Sequence, residues 1–217
     1  MEQIRALVVD DHDLTRVLIA TYLESLNADI VGNVGSSREA IQLALSEAPN
    51  LAIIDLDLGI GPTGIDLAHG LRKFNKHLAI VILTSYEDPR LLRVKNLDLP
   101  AGAVYLGKQD VTSREVLENA IRMAMANMNG SPMETFQFRV SSLEKLSDSQ
   151  IEVMRLVAAG HSNARIAEIQ FLTESAVGKA IARLIRLLGI AANKDQNQRV
   201  LIAQAYYAAI GVVKSRE

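Results

Sequence analysis

The chain has 217 residues, of which 49% are apolar and 4% aromatic, with no Cys and a formal net charge of −2. This composition supports a folded core, and the length allows one large or two small domains. The lack of Cys excludes disulfide scaffolds, Cys-ligated zinc, iron–sulfur clusters and thiol nucleophiles, and the few aromatics argue against a base-stacking sheet. The apolar runs are too short to cross a membrane and the start is no signal peptide, so we expect a soluble cytoplasmic protein.

The first part of the chain alternates short apolar runs with segments in which apolar residues recur every three to four positions. These patterns are typical of buried strands and amphipathic helices. The predicted strands cover residues 6–9, 29–35, 51–54, 78–83 and 103–106, and the predicted helices cover 14–26, 39–46, 65–74, 91–97 and 116–124. Five strands alternating with five helices predict an α/β fold with a five-stranded parallel, doubly wound sheet.

Polar side chains stand where these strands end. Asp10 and Asp11 follow the first strand, Asp55 the third, Thr84 the fourth and Lys108 the fifth. The carboxyl ends of parallel strands meet at one edge, where such folds bind ligands. Crowded carboxylates favour a divalent cation, and oxygen ligands suit Mg²⁺. The metal and Lys108 would neutralise a phosphoryl group transferred to a carboxylate, with Thr84 donating a hydrogen bond. The alternative role for any single Asp at a strand end is to cap the helix that follows, without binding a metal or a phosphoryl group.

Four motifs around these residues resemble the receiver domain of bacterial two-component response regulators, which has a flavodoxin-like fold. They are Val8-Val-Asp-Asp-His12, Ile53-Ile-Asp-Leu-Asp57, Ile82-Leu-Thr-Ser85 and Tyr105-Leu-Gly-Lys108. The resemblance implies that Asp55 is the phosphoacceptor for a histidine kinase. It also implies that Asp10, Asp11 and Asp55 form the Mg²⁺ site, with the backbone carbonyl of Asp57 as a further ligand.

The same resemblance implies roles for three residues on the last two strands. Thr84 and Lys108 would hold the phosphoryl oxygens. Tyr105 matches an aromatic switch position that turns inward as Thr84 moves. The alternative for Tyr105 is an ordinary strand aromatic without a switching role.

The chain departs from the receiver pattern beside the phosphoacceptor. The loop after it runs Leu58-Gly-Ile-Gly-Pro-Thr-Gly64, which is one residue longer than usual and lacks the usual Met-Pro. Val104 stands where the family has Gly before Tyr105. We expect the longer loop to change the lifetime of the phosphoryl group or the choice of kinase. We expect a receiver that can be phosphorylated, because the five core functional positions of the family are all present. They are Asp10, Asp11, Asp55, Thr84 and Lys108.

A competing resemblance comes from an enzyme class. Asp55-Leu-Asp57 also resembles the DxD motif of haloacid-dehalogenase-type phosphatases, in which the first Asp is the nucleophile and the second the general acid. In that family the DxD strand lies near the N-terminus and the acidic pair follows the Lys, whereas Asp10 and Asp11 come first here. A cap domain is also missing. We therefore expect a regulator and not an enzyme, and keep the phosphatase as the lesser alternative.

Residues 126–143 interrupt the alternating pattern. We predict that they form a linker between a receiver domain at 1–125 and a second domain at 144–217. The balance of charge changes sign near this segment, since residues 1–140 hold 13 Lys and Arg against 18 Asp and Glu, and residues 141–217 hold 10 against 7. The basic C-terminal part is a mild indication of nucleic-acid binding.

The residues after the linker are predicted to be helical. Ser147 and Gln150 form a capping box for one helix, Asn163 and Thr173 are the predicted caps of the next two, and residues 199–212 form a fourth. The third helix carries a basic outer face. Two short helices joined by a tight turn, the second basic, are typical of a helix-turn-helix domain.

This part of the chain resembles the NarL/LuxR-type DNA-binding domain. The matching stretches are Leu146-Ser147, Glu152-Val-Met154, Ala159-Gly-His-Ser-Asn163, Ile166-Ala167, Thr173-Glu-Ser-Ala-Val177 and Leu188-Gly189. The resemblance implies a homodimeric transcription factor that inserts its third helix into the major groove of duplex DNA, with dimerisation depending on phosphorylation. The candidate DNA contacts are Thr173, Ser175, Lys179, Arg183 and Arg186. The last helix would contribute to the dimer interface, or would simply close the core.

Two family positions are replaced on the third helix. Gly178 and Ala180 stand where the family commonly has Lys and His. We expect Lys179 and Arg183 to contact DNA phosphates, because most protein–DNA hydrogen bonds position the protein rather than specify sequence. A domain that binds a protein partner instead of DNA is the alternative, and a solvated basic face is the simplest interpretation of the charges.

Overall fold

The computed structural model describes residues 3–92, 98–128, 136–137, 143–191 and 196–212. The chain divides into two compact units, of which the first comprises Met1–Thr84 and Val94–Arg139 and the second Ser85–Arg93 and Val140–Glu217. Each unit has its own hydrophobic core. No helix within the described ranges is both long and apolar enough to span a bilayer.

A parallel sheet forms the centre of the first unit. Its strands are β1 Arg5–Val9, β2 Asp29–Val34, β3 Leu51–Ile54, β4 Ala79–Thr84, β5 Val104–Gly107 and β6 Phe136–Gln137, in the spatial order β2-β1-β3-β4-β5-β6. Every pair of neighbours is parallel, and β3, β4 and β5 are buried throughout. This confirms the predicted five-stranded, doubly wound α/β fold. The two-residue β6 is an addition within the predicted linker, too short to show a periodic pattern.

Four α-helices accompany the described part of this sheet. They are α1 Asp13–Ser25, α2 Ser37–Glu47, α3 Gly64–Phe74 and α4 Arg114–Met128. On one face, Leu23 of α1 and Ile121 of α4 pack against alternate strand residues such as Ile53 and Val81. The predicted helix over 91–97 differs, because Pro89–Leu92 forms a single 3₁₀ turn. Residues 93–97 lie outside the described part.

The described residues of the second unit form four more α-helices. They are α5 Asp148–Ala158, α6 Asn163–Gln170, α7 Glu174–Leu187 and α8 Gln198–Ala209. The capping box of Ser147 and Gln150 is confirmed, and so is the Thr173 cap, whose hydroxyl accepts from the amide of Ala176. The prediction for α6 was wrong by one residue, since Ser162 is its cap. Ser and Asn are both good caps, so the pattern alone does not choose between these neighbours.

The segment Ser85–Arg93 groups with the second unit. Tyr86 and Leu91 pack in its hydrophobic core, and the amide of Glu87 donates to the carbonyl of Ala209 at 2.7 Å. The sequence-based bounds place this segment in the first domain, and those bounds remain a prediction. The difference arises because Tyr86 and Leu91 pack in the core of the second unit rather than against the sheet.

Candidate functional site

Carboxylates from two neighbouring strands meet at the carboxyl edge of the sheet. Asp10 follows β1 and Asp55 follows β3, and the amide of Asp55 donates to the carbonyl of Val9 at 2.7 Å. Both carboxylates are buried, with 1% of Asp10 and 6% of Asp55 exposed. One ligating atom from each of Asp10, Asp11, His12 and Asp55 lies within 4.8 Å of the others. The structure thus brings together the three predicted carboxylates and adds an imidazole.

Lys108 lies between the two buried carboxylates. Its Nζ is 2.7 Å from Asp10 Oδ2 and 3.2 Å from Asp55 Oδ2. Burial raises the pKa of Asp55 to about 6; the Asp10 carboxylate adds to this rise, and Lys108 opposes it. Lys108 thus neutralises two carboxylates of a cluster that holds three, and the excess negative charge favours a bound cation.

The donor set of this edge fits Mg²⁺. Asp10, Asp11 and Asp55 offer carboxylate oxygens, which hard divalent cations prefer, and the side chain of Asp11 is 36% exposed. Asp57 lies on the same loop, and its side chain accepts a hydrogen bond from the amide of Gly59 at 3.1 Å. The side chains present could therefore hold an ion that is also accessible from solvent.

Gly64, the first residue of α3, packs against the backbone of Asp55. A Cβ at this position would lie 2.0 Å from the Asp55 carbonyl oxygen, which is too close for any side chain. The amide of Gly64 donates to the carbonyl of Leu56 at 2.9 Å, and a capping box of Thr63 and Asp66 holds the start of the helix. The end of the Gly-rich loop therefore supports the backbone of Asp55. The sequence identified Gly64 only as the last residue of the Gly-rich loop and did not indicate this supporting role.

Thr84 lies on β4 and Tyr105 on the neighbouring β5, which Lys108 directly follows. Thr84 ends β4 and is fully buried, and it pairs in register with Gly107 of β5. Tyr105 pairs with Ile82, and only 5% of it is exposed. Its burial fits both a switch residue turned inward and an ordinary core aromatic.

The raised pKa of Asp55 predicts a pH-dependent stability. Because the folded-state pKa of about 6 lies above the ordinary 3.8, the folded state binds the proton more tightly than the unfolded state. This contribution to stability is present below the ordinary value and is lost as the pH rises through about 6. Thermal unfolding in Mg²⁺-free buffer should show the loss in the wild type and not in Asp55→Asn. Identical pH profiles for the two proteins would contradict the assignment.

The second unit presents a helix-turn-helix. Phe171, the C-cap residue of α6, adopts a left-handed conformation with φ of 54°, and the chain then turns toward the Thr173 cap of α7. Val177, Ile181 and Leu184 form the buried face of α7. Ala180, Ile185 and Leu187 also pack against this core, and the exposed side of α7 lies opposite.

All five predicted DNA contacts are exposed. They are Thr173, Ser175, Lys179, Arg183 and Arg186. The spacing of the last four places them along one side of α7. The ion pairs in the described part of this unit involve Arg90, Arg155 and Arg165, and not the basic residues of α7. The positive charge of α7 is therefore available to an anionic partner.

Gly178 has no steric requirement in α7. A Cβ there would meet no atom within 4 Å. We expect Gly178→Ala to stabilise the second unit by about 1 kcal/mol, because Ala costs less backbone entropy in a helix. Gly160→Ala is the matched control and should destabilise the unit, because Gly160 has a φ of +82° that Ala adopts only with strain. Hydrogen exchange of α5 and α7 measures both effects, and a destabilised Gly178→Ala would contradict the prediction.

Two family models match the chain. The response regulator receiver domain matches residues 6–122, and the luxR family of bacterial regulatory proteins matches residues 144–196. The response regulator protein VraR of Staphylococcus saprophyticus is 28% identical over 209 residues, which cover 92% of this chain and 96% of that relative. A nitrate/nitrite response regulator protein homolog of Haemophilus influenzae is 30% identical over 195 residues, which cover 87% of this chain and 92% of that relative.

Solved structures support the same fold. A structure of two RcsB dimers bound to two parallel DNAs contains a chain that aligns with a TM-score of 0.61 and 22% identity. The alignment covers 96% of this chain and 100% of that chain. A second, of an RcsB–DNA complex, aligns with a TM-score of 0.58 and 21% identity, also over 96% of this chain and all of that one. At these identities the likeness shows the fold alone. Together with the family models, it confirms the NarL/LuxR-type resemblance seen in the sequence. The chain therefore belongs to the response regulators, a family of regulatory proteins, and combines a receiver domain with a LuxR-type helix-turn-helix domain.

Proposed function

We propose that this protein is a cytoplasmic response regulator that accepts a phosphoryl group on Asp55 from a histidine kinase and regulates transcription by binding duplex DNA. The observation that carries the proposal is the buried Asp55 carboxylate, 3.2 Å from the Lys108 ammonium and grouped with Asp10 and Asp11. A regulatory output domain on the same chain agrees with it.

Each polar group at the sheet edge has a role in this proposal. The Asp55 carboxylate attacks the phosphorus of a phosphohistidine, the P–N bond breaks, and the imidazole nitrogen leaves. At neutral pH a carboxyl group with a pKa of about 6 is mostly ionised and can act as this nucleophile. The Lys108 ammonium and the Thr84 hydroxyl then hold the phosphoryl oxygens. A Mg²⁺ ion bound by Asp10, Asp11, Asp55 and the Asp57 carbonyl would neutralise phosphoryl charge.

An apolar surface beside this edge supports a protein as the phosphoryl donor. The side chains of Leu14 and Leu18 on α1 are exposed. A cleft of about 450 Å³ is lined by Leu18 and Tyr22 on one side and by Lys108 and Val111 on the other. Exposed apolar surface next to a reactive group is typical of an interaction site.

The signal to the output domain is proposed as a population shift. Phosphorylation favours one arrangement of Thr84 and Tyr105, and this arrangement frees or dimerises the DNA-binding domain, with α8 in the dimer interface. The segment Ser85–Arg93 supports this, because it follows Thr84 directly in the chain and belongs to the second unit. A displacement of Thr84 is thereby transmitted along the backbone to residues that pack in the core of the output domain.

DNA binding is tested with duplexes selected from a random library, with and without a phosphoryl mimic and Mg²⁺. We expect an enriched motif with two-fold symmetry. Lys179→Ala and Arg183→Ala should each weaken binding and lower the salt slope by about 1, because each removes a phosphate contact. Lys73→Ala, an exposed charge removed from α3, is the matched control and should change neither quantity.

The alternative is a helix-turn-helix that binds a protein partner. The observation that favours it is the replacement of the family's usual basic residues by Gly178 and Ala180. In that case no motif would be enriched, and Lys179→Ala would behave as the wild type in the DNA assay. Enrichment that is lost in Lys179→Ala would exclude it.

A further inference from the structure

A side chain of α8 holds the turn between α5 and α6. Arg199, the second residue of α8, donates from Nη1 to Asn163 Oδ1 at 2.8 Å and from Nη2 to the carbonyl of His161. His161 lies in the turn, and Asn163 is the first residue of α6. The planar guanidinium thus ties α8 to the start of the first helix of the helix-turn-helix.

Both sides of this contact are held by helix caps. The amide of Arg199 donates to Oδ1 of Asn197, the N-cap residue of α8, at 2.9 Å. On the other side, Ser162 caps α6, since its hydroxyl accepts from the amide of Arg165. The Asn163 side chain, for which the sequence predicts a capping role, therefore serves as an acceptor for Arg199 instead.

A second hydrogen bond joins α8 to the other end of the same turn. The hydroxyl of Tyr207 donates to the carbonyl of Ala158, the last residue of α5, at 3.2 Å. Between the two contacts lies Gly160, whose φ of +82° is a conformation that glycine adopts without strain. Helix α8 therefore holds both sides of a sharp turn that leads into α6, and α6 packs against α7.

The contact of Arg199 lies between the proposed dimer interface and the proposed DNA-reading helix. A dimeric helix-turn-helix protein reads two half-sites whose separation is set by the placement of its two recognition helices. We propose that Arg199 is a positioning residue for DNA binding, which fixes the orientation of α6 and α7 relative to α8 and thereby the spacing of the half-sites. The inference rests on the DNA binding and dimerisation of the proposed function.

The shape of the guanidinium distinguishes this role from a contact with a DNA phosphate. Lys at position 199 keeps the positive charge but presents one ammonium in place of the two-pronged guanidinium, so it cannot reproduce the paired contact. A phosphate contact depends mainly on charge, so Lys would preserve it. Its loss would also lower the salt dependence of binding.

The experiment measures the preferred half-site spacing with the full chain. Duplexes that the wild type selects from a random library supply the half-site, whose copies are then moved closer together or further apart, or of which one is scrambled. For Arg199→Ala we expect about tenfold weaker binding at the preferred spacing, but binding to a single half-site within about twofold of the wild type. The dependence of affinity on spacing should be flatter. Arg199→Lys should behave as Arg199→Ala, and neither should change the salt slope.

Arg155→Ala is the matched control. The Arg155 guanidinium is 22% exposed and makes two hydrogen bonds to Glu152 within α5, so its loss leaves the contact between α8 and the turn in place. This variant should keep the spacing preference of the wild type. Tyr207→Phe removes only a hydroxyl and should flatten the spacing dependence to a smaller extent, which tests the proposal even if Arg199→Ala fails to fold.

Three results would overturn the proposal. They are an unchanged spacing preference in both Arg199→Ala and Tyr207→Phe, an equal flattening in Arg155→Ala, and full rescue by Arg199→Lys together with a lower salt slope in Arg199→Ala. The last result would make Arg199 a phosphate contact. A wild type that enriches no motif, or a motif without a second half-site, would instead refute the DNA binding or the dimerisation of the proposed function.

Discussion

Asp55→Asn will abolish the covalent phosphorylation of the chain by acetyl phosphate and Mg²⁺, whereas the wild type will gain the mass of one phosphoryl group. An amide is not a nucleophile toward phosphorus, and the neighbouring Asp10 carboxylate is held in place by hydrogen bonds from Lys108 and from the amide of His12. Intact mass spectrometry measures the modified fraction. A small-molecule donor removes the need for an identified kinase.

The control for this experiment is the same substitution two residues later. Asp57→Asn also removes one carboxylate from the loop, and the Asn oxygen can still accept from the amide of Gly59. In the response regulator proposal Asp57 contributes only its backbone carbonyl, so this variant should be phosphorylated. If both variants lose activity and the wild type turns over a phosphate ester, the phosphatase interpretation of the Asp55-Leu-Asp57 motif would replace the proposal.

The acidic edge was predictable because its signals are local. Asp10 and Asp55 each follow a short apolar run directly, and the parallel topology then brings the strand ends together. His12 carried a signal that sequence reasoning did not use, since it is a ligand-type residue next to two predicted metal ligands. Its contact with Asp11 depends on the conformation of the first residues of α1, which periodicity does not specify.

The contacts of the segment after β4 could not be predicted. Arg90 binds the carbonyls of Leu143 and Leu146, more than fifty positions further along the chain. Such pairs leave no periodic pattern in a single sequence. The residues around Leu91 have an apolar content that suits a helix on the sheet equally well, so only the tertiary packing decides which core they join.

Arg90→Ala will destabilise the second unit by about 3 kcal/mol, because it leaves a buried carboxylate without its cation. Arg90 contacts both carboxylate oxygens of Asp88, which is only 5% exposed. The same guanidinium donates to the carbonyls of Leu143 at 3.0 Å and Leu146 at 2.7 Å. These carbonyls lie just before α5, so the loss of stability should extend to that helix. Hydrogen exchange of peptides from α5 and α8 measures it locally, since a two-unit chain has no single unfolding free energy.

The matched control removes an exposed ion pair from the same unit. Arg165 pairs with Glu168 at 2.8 Å, and both side chains are at least 60% exposed, so Arg165→Ala should cost no more than about 1 kcal/mol. The double variant Asp88→Ala/Arg90→Ala should be destabilised by less than the sum of the two single variants, because neither charge is then left alone. Simple additivity would show that the pair does not act as a unit.

If the pair also secures Ser85–Arg93 to the output domain, Arg90→Ala should reduce the effect of phosphorylation on DNA affinity while leaving phosphorylation of Asp55 intact.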